Sequence, residues 1–113
     1  LNVQGLSALQ TLECDGNQLA VLNVQGSNAL RRLECKHNQL TADAFIKIFT
    51  DLPQRTVSQN AKCELYIELS GVSEGNHKDF TSPGELKTAF DNAKNVKNWK
   101  MYKYAGNGNF VEL

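Results

Sequence analysis

The stretch LQTLECDGNQL, residues 9–19, returns 21 positions later as LRRLECKHNQL, residues 30–40. The similarity extends outward on both sides, so that residues 1–21 (LNVQGLSALQTLECDGNQLAV) align without gaps on residues 22–42 (LNVQGSNALRRLECKHNQLTA). A period in the low twenties with leucines at fixed positions is typical of stacked coils, in which each repeat is one structural unit. The sequence therefore predicts that residues 21 apart lie on top of one another and share one apolar interior.

Alternating polar and apolar residues predict a short strand in each repeat. Leu12 and Cys14 alternate with polar residues in the first repeat, and Leu33 and Cys35 do so in the second. Because successive side chains of a strand point to opposite faces, these apolar residues are expected to face the interior. The polar residues are expected on the outward face; they are Thr11, Glu13, Asp15, Arg32, Glu34 and Lys36.

An asparagine follows each predicted strand, where the chain must bend. The side chains of Asn17 and Asn38 are expected to bond backbone groups that a turn leaves unpaired. With the motif L-x-x-L-x-C-x-x-N-x-L in two in-register copies, residues 1–42 resemble leucine-rich repeats of the Cys-containing variety, roughly 21 residues long, found in internalin-like bacterial surface proteins. The resemblance implies a right-handed solenoid with a parallel sheet on its concave face, a role in protein binding, and a bacterial cell-surface or secreted location.

After the repeats, the pattern predicts helices. Thr41 is the expected N-cap of a first helix that ends before Pro53. Its apolar stripe consists of Ala44, Phe45, Ile48, Phe49 and Leu52. Ser82 as N-cap, Pro83 at the first helical position and Glu85 three residues on predict a capping box for a second helix. The polar residues 71–81 between the helices are expected to form a loop.

Two further strands are predicted in this half. Residues 62–69 (KCELYIEL) alternate, which places Cys63, Leu65, Ile67 and Leu69 on the inward face and Lys62, Glu64, Tyr66 and Glu68 on the outward face. Residues 99–104 (WKMYKY) predict a strand with Lys100, Tyr102 and Tyr104 outward, joined to the first by a right-handed crossover. For residues 110–113, an antiparallel edge strand and a simple tail both remain open.

The whole chain is therefore expected to be an α/β leucine-rich-repeat solenoid, with a parallel sheet on the concave face, closed by a C-terminal α/β cap. Residues 1–42 are the two repeats, and residues 43–113 are a capping region continuous with the same domain. This second part resembles the cap of the same surface proteins, where a helix ending in Leu-Pro and a later strand beginning with Trp close the stack. The uncapped N-terminal edge predicts further repeats upstream or self-association there.

Composition and motifs argue against several functions. The formal net charge is +0, so no polyanion or nucleic-acid partner is implied, and no apolar run approaches the roughly 20 residues of a membrane span. Cys14, Cys35 and Cys63 are expected to form a ladder of buried, inert thiols, and His37 and His77 to be solvated. No catalytic motif, cofactor site or metal-ligand spacing is present, which predicts a protein that is not an enzyme.

The remaining candidate for function is the outward face of the sheet. The predicted partner-binding residues are Thr11, Glu13, Asp15, Arg32, Glu34, Lys36, Glu64, Tyr66, Glu68, Tyr102 and Tyr104. Mixed charge with tyrosines on a rigid scaffold suits recognition of a protein, with a glycan as the alternative. The expected function is a non-enzymatic adhesion-like or partner-binding module at the C-terminal end of a larger protein. The alternative is a purely structural cap, with recognition in upstream repeats.

Overall fold

Five strands and two helices make up the regular structure in a computed structural model that describes residues 1–113. In chain order they are β1 (Thr11–Glu13), β2 (Arg32–Glu34), α1 (Ala42–Asp51), β3 (Lys62–Ile67), α2 (Gly84–Asn95), β4 (Lys100–Tyr104) and β5 (Phe110–Glu112). A short 3-10 helix, Val57–Gln59, precedes β3. The expected α/β class is confirmed.

The strands form one sheet in the order β1-β2-β3-β4-β5, in which the first four run parallel. Leu12 lies beside Leu33, so the predicted stacking of residues 21 apart is confirmed for the strands. The same row continues through Cys63 and Met101. β5 pairs with β4 in antiparallel orientation, which decides between the two possibilities left open for residues 110–113.

Both helices pack on the inward face of the sheet. Leu33, Cys63 and Met101 share one core cluster of 22 buried residues with apolar side chains from α1 and α2. The predicted start of α1 is confirmed, because the Thr41 side chain accepts a hydrogen bond of 3.2 Å from the backbone N–H of Ala44. The opposite side of the sheet, hereafter the outward face, is not covered by either helix.

The predicted capping box of the second helix is wrong. Pro83 occupies the cap position with extended backbone (φ −67°, ψ 169°), and α2 begins one residue later, at Gly84. Glu85 is then the second helical residue rather than the third, so its carboxylate is out of place for bonding back to the backbone N–H of the cap. No side chain caps this helix.

An asparagine ladder connects successive turns of the chain. Asn38 donates from Nδ2 to the carbonyl oxygens of Cys35 and Cys14, both at 3.0 Å, and its Oδ1 accepts from the N–H of Leu19 at 3.1 Å. Asn17 makes the equivalent bond to the carbonyl of Cys14 at 2.9 Å. The predicted role of these asparagines is confirmed, because their side-chain amides pair backbone groups at the turns.

Asn76, in the long loop after β3, is a third member of this asparagine ladder that the sequence pattern did not indicate. Its Nδ2 donates to the carbonyls of Cys35 and Leu65, and its Oδ1 accepts from the N–H of Leu40. Residues 71–81 were expected to be only a polar loop. They do form a loop, which also supplies the turn after β3 and packs Phe80 in the core.

A register shift in β3 overturns part of the predicted outward face. The pairing with β4 shifts between Glu64 and Tyr66, so that Tyr66 pairs with Lys103. From there on the alternation is reversed, because one extra residue in a strand moves every later side chain to the other face. Tyr66 is 5% exposed and stacks on Phe80 in the core, so its predicted outward position is wrong.

The same shift displaces the residues that follow Tyr66. Ile67, expected inside, pairs with Tyr104 and shares its outward face. Glu68 bonds Lys103 at 3.2 Å, on the side of the sheet that Tyr66 occupies, so Glu68 also leaves the predicted surface. Cys63 lies in the row of Leu33, which corrects the expectation that it continues the ladder of Cys14 and Cys35.

Candidate recognition surface on the outward face

Strand register arranges the outward side chains in rows that run across the sheet. The first row, at the starts of the strands, is Thr11, Arg32, Lys62 and Lys100. The second row is Glu13, Glu34, Glu64, Tyr102 and Glu112. A basic row therefore lies directly beside an acidic one. This order follows from the alternation of residues along each strand and from the in-register pairing between strands.

Five of the predicted binding residues come together as an ion-pair lattice, consisting of Asp15, Arg32, Glu34, Lys36 and Glu64. Lys36 Nζ contacts a carboxylate oxygen of Glu64, lies 3.1 Å from Asp15 Oδ2 and 3.7 Å from Glu34 Oε1. Arg32 Nε donates to Glu34 Oε2 at 2.7 Å. The backbone N–H of Lys36 also donates to Asp15 Oδ1 at 2.7 Å, which fixes the carboxylate of the preceding repeat.

Burial makes this lattice more rigid than an ordinary surface charge cluster. Lys36 is 7% exposed and Glu64 is 4% exposed. Burial lowers the pKa of Lys36, but hydrogen bonds to Glu64 and Asp15 outweigh that effect, so that its pKa is raised. The hydrogen bond to Glu34 is the main cause that raises the pKa of Arg32. Both cations therefore remain charged over the whole neutral range and hold the carboxylates in place.

An aromatic pair borders the ion-pair lattice. The ring centroids of Tyr104 and Phe110 are 5.0 Å apart, and Lys36 Nζ lies 5.6 Å from the centroid of the Phe110 ring. Phe110 is 45% exposed and is not among the binding residues predicted from the sequence. The Asn107–Gly108 turn was the available signal, because a hairpin at that turn places Phe110 opposite Tyr104.

The other predicted binding residues are distributed unevenly. Thr11 and Glu13 are exposed on the edge strand β1, and Tyr102 and Tyr104 are half-buried on the outward face. Tyr66 and Glu68 do not belong to this surface, for the reason given above. The outward face consequently has a rigid charged centre, a polar edge on β1 and an aromatic edge formed by β4 and β5.

The cysteines and histidines lie outside this surface. Burial is the main cause that raises the pKa of the Cys14 thiol to about 11, and it raises the pKa of Cys35 and Cys63 as well. All three thiols are buried and free. His37 is exposed in a turn, and His77 packs edge-on against Phe80 at 6.2 Å. No group of three or more His, Cys, Asp or Glu side chains is placed to hold a metal ion.

Comparison with known proteins adds no further information about this surface. No family model matches the chain, and no curated protein or solved structure matches it either. Neither helix is long and apolar enough to cross a membrane. Any functional assignment therefore depends on the geometry of the chain itself.

Proposed function

We propose that the chain is a leucine-rich-repeat solenoid module that binds a protein partner through the outward face of its sheet. The proposal includes that it is not an enzyme and that it belongs to a bacterial surface or secreted protein. The observation that carries it is the juxtaposition of a fixed ion-pair lattice with an exposed aromatic edge. Lys36 stands between these two parts, bonded to Glu64 and placed over the ring of Phe110.

The energetics of recognition favour such an arrangement. Binding costs free energy for every flexible side chain that must be ordered, and here the charged side chains are ordered before a partner arrives. Arg32 and Asp15 are the most exposed members of the lattice and supply its fixed charges for orientation. Aromatic side chains are frequent among the few residues that carry most of the binding energy of a protein interface. Phe110 and Tyr104 are in contact with each other, so a partner would meet one continuous aromatic surface.

The solenoid part of the proposal is supported by the repeated bonding of the asparagine ladder. Asn38 bonds Leu19 and Asn76 bonds Leu40, and these two leucines are themselves 21 residues apart. The same connection is thus made twice between successive turns of the chain. A non-catalytic role is supported by the thiols, whose raised pKa values leave little thiolate at neutral pH.

A structural cap is the second candidate, and one contact favours it. The indole Nε1 of Trp99, which is 1% exposed, donates to the carbonyl of Pro53 at 2.8 Å. This bond joins the start of β4 to the end of α1 and closes the apolar interior. If closure were the only role of residues 43–113, substitutions on the outward face would leave partner binding unchanged.

A photo-crosslinking experiment tests the proposal at the aromatic edge. A benzoylphenylalanine placed at Phe110 keeps an aromatic ring on the outward face, and the same group at the exposed Thr88 of α2 is the matched control. Bacterial surface and culture-medium fractions are the source of partners, and the crosslinked protein is then purified. The expected result is a discrete adduct at Phe110 that excess unmodified chain competes away, and none at Thr88.

Quantitative binding then separates the two candidates. Tyr104→Ala combined with Phe110→Ala is expected to weaken binding of the purified partner at least about tenfold, as loss of aromatic anchors does in other interfaces. Circular dichroism verifies that the variant remains folded. Equal adducts at Phe110 and Thr88, or undiminished affinity in the folded double variant, would reject recognition through this face and favour the cap.

A further inference from the structure

Four of the twelve Lys and Arg residues of this electrically neutral chain lie at or next to the starts of β2, β3 and β4. Arg31, Arg32 and Lys62 line one surface depression of about 350 Å³, and Lys94 and Lys100 line a second one of about 230 Å³. The two depressions share Asn60, and Glu112 is the only carboxylate in their lining. We call them together the basic cleft. A net charge of +0 therefore conceals a strongly positive local surface.

Most of the cationic side chains in the basic cleft have no ion-pair partner within the chain. Arg31, Lys62 and Lys100 form no ion pair, whereas Arg32 is held by Glu34. In-register pairing nevertheless places Arg32, Lys62 and Lys100 directly side by side on neighbouring strands. Like charges that lie opposite each other across a sheet are destabilising. The basic cleft thus has an unfavourable charge arrangement that an anionic ligand would relieve.

The lining indicates which anion fits. The depression around Lys62 has no apolar residue in its lining, and Val57 is the only exposed apolar residue in the lining of the second one. A single exposed side chain does not form the apolar pocket in which an anchor side chain of a peptide would be buried. Trp99 is the aromatic residue of the second depression and is 1% exposed, which leaves no platform for stacking nucleic-acid bases. Free amides of Asn60 and Asn95 are instead available beside the lysines, and these suit hydroxyl and acid groups.

We propose that the basic cleft binds an acidic polysaccharide, one whose sugar units carry sulfate or carboxylate groups. Neighbouring strands are about 4.8 Å apart, so the cationic row of Arg32, Lys62 and Lys100 extends about 10 Å along the sheet edge. A chain with regularly spaced acid groups can contact this row at successive positions, and the Arg31 guanidinium adds a further donor at its end. The affinity is mainly electrostatic and falls with added salt.

This site is separate from the proposed protein-binding function. It lies at the starts of the strands, and the aromatic edge of Phe110 and Tyr104 is not part of its lining. Thr11 and Arg32 belong both to the basic cleft and to the predicted partner-binding residues, and Lys62 and Lys100 lie in the same row of the outward face. Replacement of Lys62 and Lys100 leaves Thr11, Arg32 and the aromatic edge in place and so tests the basic cleft, whereas photo-crosslinking at Phe110 tests the aromatic edge.

The test uses a heparin hexasaccharide as the probe, titrated by calorimetry into the full 113-residue chain at low and at physiological salt. Lys62→Gln with Lys100→Gln is the test variant, and Lys78→Gln is the control, because Lys78 also forms no ion pair but lies outside the cleft. Each neutralised lysine of the cleft is expected to reduce affinity about tenfold and to make its salt dependence less steep. The control is expected to change affinity less than about threefold.

Two further measurements make the result decisive. The double variant is expected to unfold at the same or a higher temperature than the parent chain, because the like-charge contact is removed. In NMR spectra of the parent chain, the side-chain amide signals of Asn60 and Asn95 are expected to shift on addition of the probe. Weaker binding together with lower stability and unshifted amides would mean that the lysines act through the fold, and would overturn the proposal.

The remaining outcomes also overturn it. These are the absence of binding by the parent chain at low salt, equal loss of affinity in the Lys78→Gln control, and tighter binding of a glutamate octapeptide or a single-stranded oligonucleotide than of the hexasaccharide. Tighter binding of the octapeptide would assign the basic cleft to acidic protein segments, and tighter binding of the oligonucleotide would assign it to nucleic acid. Binding of the hexasaccharide that depends on Lys62 and Lys100, with preserved stability, supports the assignment.

Discussion

The repeat half, residues 1–42, and the closing half, residues 43–113, build the same sheet from differently spaced sequences. In the repeat half, β1 and β2 are 21 residues apart, and Asn17 and Asn38 follow them at identical distances. In the closing half, α1 lies between β2 and β3, and α2 lies between β3 and β4. The strand register and the asparagine bond nevertheless continue, because Asn76 bonds Leu40 and Cys35 as Asn38 bonds Leu19 and Cys14.

This comparison shows that bonding geometry persists where sequence spacing does not. The backbone groups exposed at a turn must find partners in either half, and an asparagine supplies both a donor and an acceptor. The connection between two strands can therefore include a helix, provided that an asparagine side chain lies at the turn and pairs the same backbone groups. The second difference is the bulge in β3, which exists only in the closing half and exchanges the two faces of the strand after Glu64.

The largest predicted effect is a loss of stability at the bulge in β3, tested by comparing Tyr66 with Tyr102. Tyr66→Ala is expected to lower the free energy of unfolding by about 3–4 kcal/mol, because it removes a buried ring from the aromatic core around Phe80. Tyr102→Ala on the outward face of β4 is expected to cost less than about 1 kcal/mol. Urea denaturation measures both. Similar costs for the two variants would place Tyr66 back on the outward face.

The second prediction tests the asparagine ladder. Asn38→Ala and Asn76→Ala are each expected to lower the free energy of unfolding by about 1–3 kcal/mol, because the first leaves the half-buried N–H of Leu19 unpaired and the second leaves the buried N–H of Leu40 unpaired. Asn17→Ala is the exposed counterpart and is expected to cost less than about 1 kcal/mol. Chemical denaturation in parallel gives the three values. A small loss for Asn76→Ala would mean that the closing half does not depend on this ladder.

A matched pair of glycines provides the third prediction. A Cβ on Gly75 would overlap the backbone carbonyl oxygen of Asn38, whereas a Cβ on Gly84, at the start of α2, meets nothing within 4 Å. Gly75→Ala is expected to cost about 1–3 kcal/mol, because the backbone must move apart where the loop contacts the repeat half. Gly84→Ala is expected to be neutral or stabilising, by less than about 1 kcal/mol. Thermal melts of both variants check the sign of each change.

The smallest predicted effect on stability, and the fourth prediction, concerns thiol chemistry at the edge of the repeat half. Burial raises the pKa of Cys14 from 9.0 to about 11, so its thiolate fraction at pH 8 is about 100-fold smaller than in the unfolded chain. Alkylation by iodoacetamide should be slower in the native protein by a similar factor, with Cys35 and Cys63 reacting later still. Peptide mass mapping over time follows all three.

The Cys14 thiol also determines how stability changes with pH. A thiol whose pKa is higher in the folded state stays neutral while the unfolded chain ionises, so stability falls as the pH rises from about 9 to about 11. Cys14→Ala is expected to reduce this alkaline loss. A variant with an unchanged pH profile would show that Cys14 does not contribute to it.

Much of the fold was predictable, because short sequence patterns determine it. The rows through Leu12 and Leu33 follow from the 21-residue period, and the cap of α1 follows from Thr41 and its helical stripe. The bulge in β3 was not predictable, because the alternation of residues 62–69 reads as a regular strand and the extra residue is fixed by the packing of Tyr66 on Phe80.

The candidate surface was predictable in its centre and not at its edges. The ion-pair lattice uses residues that strand alternation alone places together, such as Glu34 and Lys36. The position of Phe110 depended on whether the last residues formed a hairpin. The basic cleft was missed because alternation places Lys62 and Lys100 on the same face but does not give the register that sets them side by side, and because the net charge averages to zero.

The asparagine ladder has a consequence for how such a protein changes over evolutionary time. Asn38 bonds the carbonyl of Cys14, which belongs to the preceding repeat, as well as the carbonyl of its own. A tandem duplication of residues 22–42 would add one asparagine and one more set of backbone groups for the asparagine of the next copy to bond. The outward face could thereby widen by one strand, about 4.8 Å, at a single genetic event and with the closing half left untouched.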